Sequence, residues 1–147
     1  MAEALSMKLL HNNIYVAGQI NAFDFDSLKA VGIKTIINNR PDQEEAGQFS
    51  STDAAKLASE HGISYHYLPM ANGQPLPATL VADFKAIVDA TDDGILVHCR
   101  SGMRSSFIWA LGQIPAGTIS VDEAIEKAHA AGIPLGNARA ALESVQA

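Results

Sequence analysis

The apolar run Ile95-Leu96-Val97 passes directly into His98-Cys99-Arg100-Ser101-Gly102-Met103-Arg104-Ser105, and residues 103–111 read as a helix. An apolar strand that gives way at once to a helix needs a tight connection. Gly102 permits the backbone angles such a turn requires. Strand–turn–helix units belong to open α/β sheets, whose ligands bind beyond the carboxyl ends of the strands. Cys99, the only cysteine in the chain, therefore falls where such a fold places its chemistry.

The residue types of this loop suit an anion-binding nucleophile. The thiolate is the reactive form of cysteine, and neighbouring cations or a helix N-terminus favour it. Arg100 and Arg104 supply the cations, and the helix that follows supplies the N-terminus. Loop N–H groups of Ser101, Gly102 and Met103 can cradle an oxyanion. The forked guanidinium of Arg104 can hold two oxygens of a tetrahedral anion, and Ser105 can donate to the sulfur. A lone cysteine at a strand end is most often a small buried hydrophobe. Here thiol, glycine, arginine and helix start coincide in one octapeptide, which outweighs that reading. His98 precedes the nucleophile, but adjacent strand residues face opposite sides. It is expected to point away from the sulfur and to orient the loop by hydrogen bonding.

Strand-His-Cys-x-x-Gly-x-Arg-Ser-helix resembles the active-site loop of cysteine-dependent phosphatases and of rhodanese sulfurtransferases. Three further stretches, at residues 14–19, 32–41 and 62–69, extend the likeness. Over residues 14–111 the chain is similar to the bacterial beta-lactamase hydrolase-like family, with its phosphatase-like domain. The resemblance implies a dual-specificity-phosphatase fold and a cysteine nucleophile. Two features depart from the phosphatase pattern. Four residues, Arg100 through Met103, separate Cys99 from Arg104, one fewer than in that motif and the length typical of rhodaneses. After Leu68-Pro69, where the family's acid is expected, stands Met70-Ala71-Asn72-Gly73-Gln74, with no carboxylate. General acid help is typically worth about 10²–10⁴-fold, so slow hydrolysis of poor leaving groups is expected. Sulfur transfer needs no such acid.

The rest of the chain reads as an α/β domain. Short apolar runs alternate with amphipathic segments. Strands are predicted at 14–19, 35–39, 64–68 and 95–98. Helices are predicted near Asp24 and Thr52, at 77–90, after the loop, at 124–130 behind the capping box Ser120-Val121-Asp122-Glu123, and at 137–145. These assemble into three layers: a mostly parallel sheet of four or five strands flanked by helices. One domain is expected over 1–147, with a core at about 14–111 and a helical C-terminal segment at 115–147. Trp109 is expected in the core.

The same sheet edge is expected to carry Asn38, Asn39, Arg40 and Asp42, and residues 70–73. Arg40 is a candidate second anion contact, although a salt bridge to Glu44 or Glu45 is the favoured reading. Asp42, Glu44 and Glu45 are the nearest substitutes for the acid, with a solvated acidic turn preferred.

Composition narrows the function classes. With 48% hydrophobic and 18% charged residues over 147 positions, the chain suits an ordinary soluble domain. A net charge of −6 without a basic stripe argues against nucleic acid. No run approaches a membrane span, and the N-terminus is no convincing signal peptide, so a cytoplasmic location is expected. The histidines lack ligand-like spacing, so neither metal nor cofactor is implied. The expected partner is a small phosphate- or sulfur-containing anion, and the oligomeric state stays open. The leading expectation is a phosphatase-like hydrolase working through a Cys99 thiophosphate. A sulfurtransferase working through a Cys99 persulfide comes second. An anion-binding or redox-sensing module comes third.

Overall fold

Five strands form one sheet in the computed structural model, which describes residues 7–146. They are β1 (Met7–His11), β2 (Ile14–Ala17), β3 (Ile33–Asn38), β4 (Ser64–Tyr67) and β5 (Gly94–His98), arranged in the order β1-β2-β5-β3-β4. Only β1 runs antiparallel to its neighbour; β2, β5, β3 and β4 are mutually parallel. Sequence reading missed β1. Its signal was the pair Asn12-Asn13 between apolar runs, and Asn12 takes the positive φ of 52° at the hairpin turn.

Helices α1 (Phe25–Ala30) and α2 (Ser51–Glu60) cover one face, and α3 (Ala78–Ala90), α4 (Met103–Gln113), α5 (Val121–Ala130) and α6 (Arg139–Ser144) lie with the other. The strand alternation divides the core accordingly. Ile95 and Val97 pack with Val16, Ile37, Phe84 and Trp109, while Leu96 packs with Ile36, Phe25 and Leu28. Because β5 is central, it is buried on both faces and reads as an unbroken apolar run. Each such side chain contributes about 1.5–3 kcal/mol through burial.

The helix starts follow their caps. Ser50 accepts the Asp53 N–H at 3.1 Å, and Ser120 and Glu123 form the expected reciprocal box ahead of α5. The segment predicted as one last helix divides instead into a 3₁₀ turn at Leu135–Ala138 and the short α6. Among the described residues, no helix is long and apolar enough to cross a membrane.

Candidate active site

The end of β5 and the start of α4 leave residues 99–102 as the connecting loop. Its conformation is fixed by two glycines. Gly102 has φ +97°, and a Cβ there would lie 2.9 Å from Ile133 Cδ1 and 3.0 Å from Val16 Cγ2. Gly18, just beyond β2, lies so close to the loop that a Cβ would sit 2.7 Å from the Arg100 carbonyl oxygen. Both positions need glycine, one for angle and approach, the other for approach alone.

Within this loop the Gly102 N–H donates to Cys99 Sγ at 3.1 Å. The cysteine is 1% exposed, so its sulfur is buried beneath the surface. Arg104, on the first turn of α4, is also buried. Its guanidinium is held on three sides: Nη1 donates to Glu44 Oε2 at 2.7 Å and to the Met70 carbonyl at 2.9 Å, and Nη2 donates to Glu44 Oε1 at 2.9 Å. Glu44 holds Arg104 above the usual guanidinium range, and burial opposes this.

The neighbouring strand ends arrive as the sheet topology dictates. The Asn39 N–H donates to the His98 carbonyl at 2.8 Å, and the Met70 N–H donates to the Asn39 carbonyl at 2.9 Å. Asn39 is thereby brought beside His98 at the end of β5, and Met70 beside Asn39, although 59 and 31 residues separate these pairs in sequence.

Several expectations change on this geometry. Ser105 does not turn its proton to the sulfur; its Oγ donates to Asn39 Oδ1 at 2.8 Å. The Asn39 amide nitrogen is committed to the Leu68 carbonyl at 2.8 Å, which leaves Oδ1 as a fixed acceptor for the buried hydroxyl. His98 does not orient the loop through its ring. Both ring nitrogens are buried without a hydrogen-bond partner among the described residues, and the main-chain carbonyl makes the contact to Asn39 instead. Burial pushes the His98 imidazole down to about 4, with the Arg40 charge acting in the same sense against the Cys99 backbone. The ring is thus a neutral buried group.

Arg40 follows the salt-bridge reading: Nε donates to Glu44 Oε1 at 3.0 Å and Nη1 to Gln19 Oε1 at 2.9 Å. Arg100 projects outward, 69% exposed, with Nη2 3.6 Å from a Glu45 carboxylate oxygen. Ser101 is exposed and Met103 half-buried.

The acidic turn is not uniformly solvated. Asp42 accepts from both the N–H and hydroxyl of Ser51, at 2.8 and 2.6 Å, and so anchors the start of α2. Glu45 stays exposed, but the Glu44 side chain is only 22% exposed and lies across both arginines. Its hydrogen bond from Arg104 holds the carboxyl below the usual range, burial opposing and Arg40 adding to the effect. Sequence reading paired Arg40 with Glu44 or Glu45 but missed the bonds of Glu44 to Arg104. No local spacing signals that contact, since 60 residues separate the two.

The sequence and fold have close counterparts. Residues 6–116 match the family model described as "Beta-lactamase hydrolase-like protein, phosphatase-like domain". A beta-lactamase hydrolase-like protein of Xylella fastidiosa (strain 9a5c) is 31% identical over 134 residues, 91% of this chain. That match covers 31% of the relative, so the chain spans about a third of the length of this curated protein. A solved Neisseria meningitidis Z2491 protein, described as a candidate phosphatase, is 30% identical with a TM-score of 0.84, covering 96% of this chain and 98% of that one. A kinase associated phosphatase, solved with its catalytic-site cysteine replaced by serine, shares the fold alone: TM-score 0.76 at 18% identity over 95% and 92% of the two chains. With its three-layer fold and its strand-to-helix cysteine loop, this chain belongs to the phosphatase-like domain family of the beta-lactamase hydrolase-like proteins.

Proposed function

We propose that this chain is a cysteine-dependent phosphatase-like hydrolase acting on a small phosphorylated substrate. The observation that supports it is Cys99 Sγ accepting the Gly102 N–H in the tight loop that opens α4, with Arg104 buried on the first turn of that helix. In this reading the Cys99 thiolate attacks phosphorus and the ester oxygen departs with the bonding pair. Arg104 and the loop N–H groups balance the charge on the equatorial oxygens. Water then attacks the thiophosphate, releasing phosphate and restoring the thiol. Glu44 occupies the guanidinium fork that phosphoryl oxygens would take, so substrate must displace it. Its carboxyl is ionised in the free protein, which favours esters whose leaving group needs little protonation.

A second reading is a rhodanese-like sulfurtransferase, favoured by the four-residue spacing and by the single N–H that reaches the sulfur among the described residues. There Cys99 would attack the outer sulfur of thiosulfate, releasing sulfite, and the persulfide sulfur would pass to cyanide as thiocyanate.

Wild type and Cys99→Ser are to be assayed with an aryl phosphate and with thiosulfate plus cyanide. Cys99-dependent phosphate release is expected. Thiocyanate formation without phosphate release overturns the hydrolase reading in favour of sulfur transfer. Neither product leaves a binding or redox-sensing role for the thiol.

A further inference from the structure

The sheet end opposite Cys99 carries a polar cavity that the chemistry at the cysteine leaves unused. β2 and β5 run parallel and pair from Ile14 and Ile95 at their amino ends, whereas Cys99 follows the carboxyl end of β5. Four strand steps, about 13 Å, separate Ile95 from Cys99. At the amino ends a cavity of about 210 Å³ is bounded by the turn between β1 and β2, the end of α3 and the later turns of α4.

Two aromatic rings in its wall carry nitrogens without a hydrogen-bond partner among the described residues: Nδ1 of His11 and Nε1 of Trp109. Trp109 is 1% exposed, and its ring centroid lies 5.7 Å from that of His11. An indole nitrogen can only donate, and leaving such a donor buried and unpaired costs about 1–3 kcal/mol. The rest of the wall is already tied down. Asn13 Nδ2 donates to the Thr91 and Asp93 carbonyls at 3.0 and 2.7 Å, Gln113 Nε2 donates to Asp89 Oδ1 at 3.2 Å, and Lys85 pairs with the other Asp89 oxygen. Asp92 stands exposed at the rim, and no lysine or arginine lines the cavity.

This inventory selects a ligand by its hydrogen bonding. An anion would meet Asp89 and Asp92 with no facing cation. An ammonium group would suit Asp92 but leave the indole N–H unpaired. A hydroxyl accepts and donates at one oxygen. It can take the indole proton and give its own to His11 Nδ1, an acceptor in the neutral tautomer protonated at Nε2. Burial and the Lys127 charge lower the His11 imidazole below its ordinary value, against Glu123, and so favour that neutral ring. A cavity of about 150 Å³ admits a benzene ring, so a six-membered ring bearing hydroxyls has room here. Each hydroxyl replaces the hydrogen bonds of a displaced water.

We propose that the cavity between the β1–β2 turn and the later turns of α4 is a binding site for a neutral, pyranose-sized polyol, held by the unpartnered nitrogens of His11 and Trp109 and by Asp92 at the rim. It shares no lining residue with the cysteine loop and stands whatever reaction Cys99 performs.

Trp109 is the only tryptophan of the chain, so its fluorescence reports on this cavity directly. Wild type is to be titrated with D-glucose, D-galactose and D-mannose, each against its uronate. At least one sugar is expected to give a saturable change with a millimolar Kd, unaltered by saturating inorganic phosphate. Its uronate is expected to bind about five-fold more weakly. His11→Phe keeps a ring and removes the nitrogen, and should raise the Kd about ten-fold. Asp92→Ala, at the exposed rim, is a second variant that leaves the core intact and should raise it about three-fold. A flat titration with all three sugars overturns the site and leaves the cavity to water. Equal affinity for sugar and uronate, or a Kd unchanged in both variants, overturns the assignment of the hydroxyl partners. Competition by phosphate overturns the placement away from Cys99.

Discussion

Glu44 and Arg104 form a two-point ion pair, 2.7 Å from Nη1 to Oε2 and 2.9 Å from Nη2 to Oε1, on the very fork that an anionic ligand would use. A carboxylate presents two oxygens with nearly the spacing of two phosphoryl oxygens, so the free protein carries an internal competitor for its own arginine. Sixty residues apart in sequence, the two are joined because the turn after β3 and the loop after β5 emerge side by side at one sheet edge.

Glu44→Gln is expected to tighten anion binding, since a neutral amide competes more weakly for the guanidinium. The dissociation constant for inorganic phosphate should fall about ten-fold by calorimetry. The pair is partly exposed at Glu44, and the glutamine amide still offers an acceptor oxygen, so the variant should melt only slightly lower, by about 1 kcal/mol or less. Saturating phosphate should then raise its Tm more than it raises that of wild type. Unchanged phosphate affinity would show that the pair does not compete with ligand.

Acid should loosen the same contact. The Glu44 carboxyl is depressed in the fold, so its stabilising effect is present above about pH 4.5 and is lost as pH falls through the lower folded value. Phosphate affinity measured in that window should depend on pH less steeply in Glu44→Gln than in wild type.

His98 makes a separate prediction at higher pH. Its folded value of about 4 lies below the ordinary 6.5, so between these pH values the unfolded chain takes up a proton that the fold refuses. Stability is therefore full above pH 6.5 and declines toward pH 4, by about 3 kcal/mol. His11, also depressed by burial, acts in the same sense; His61, raised by its contacts with Leu57 and Asp26, acts in the opposite sense. Urea unfolding of wild type and His98→Leu at pH 7 and pH 4.5 isolates the residue, because the other groups are common to both. The gap between the proteins should shift in favour of the variant at the lower pH. An unchanged gap would mean that the buried ring finds a proton acceptor.

Ser105→Ala tests whether the hydroxyl serves Asn39 or the sulfur. Leaving Asn39 Oδ1 buried and unpaired costs about 1–3 kcal/mol. A lower Tm with an unaltered iodoacetamide rate at Cys99 is expected, and a large change in that rate with little loss of stability would restore a role at the thiol.

Gly102→Ala and Gly117→Ala separate backbone angle from crowding. Both glycines have positive φ, which costs another residue about 1–2 kcal/mol. Only at Gly102 would the methyl meet Ile133 and Val16; around Gly117 nothing lies within 4 Å. Gly102→Ala should therefore lose clearly more stability, and phosphate binding with it. Equal losses would mean that the loop relaxes around the methyl at no cost.

Local pattern was enough for the elements that bear the chemistry. The apolar run of β5, the glycine turn and the start of α4 all announce themselves in adjacent residues, because strand propensity, turn sterics and helix capping act over a few positions. The capping box of α5 and the spacing of α3 were legible for the same reason. What local pattern could not assign was the partner of each polar group. Ser105 faces Asn39 and Arg104 faces Glu44, because these pairings depend on which strands lie side by side in the order β1-β2-β5-β3-β4. Buried donors and acceptors must be satisfied by whatever the packing brings within reach, and that set is decided only when distant segments meet. The primary structure determined that a thiol would stand at the head of a helix. The three-dimensional arrangement decided that a glutamate would guard the nearby arginine, because only packing brings the turn after β3 against α4.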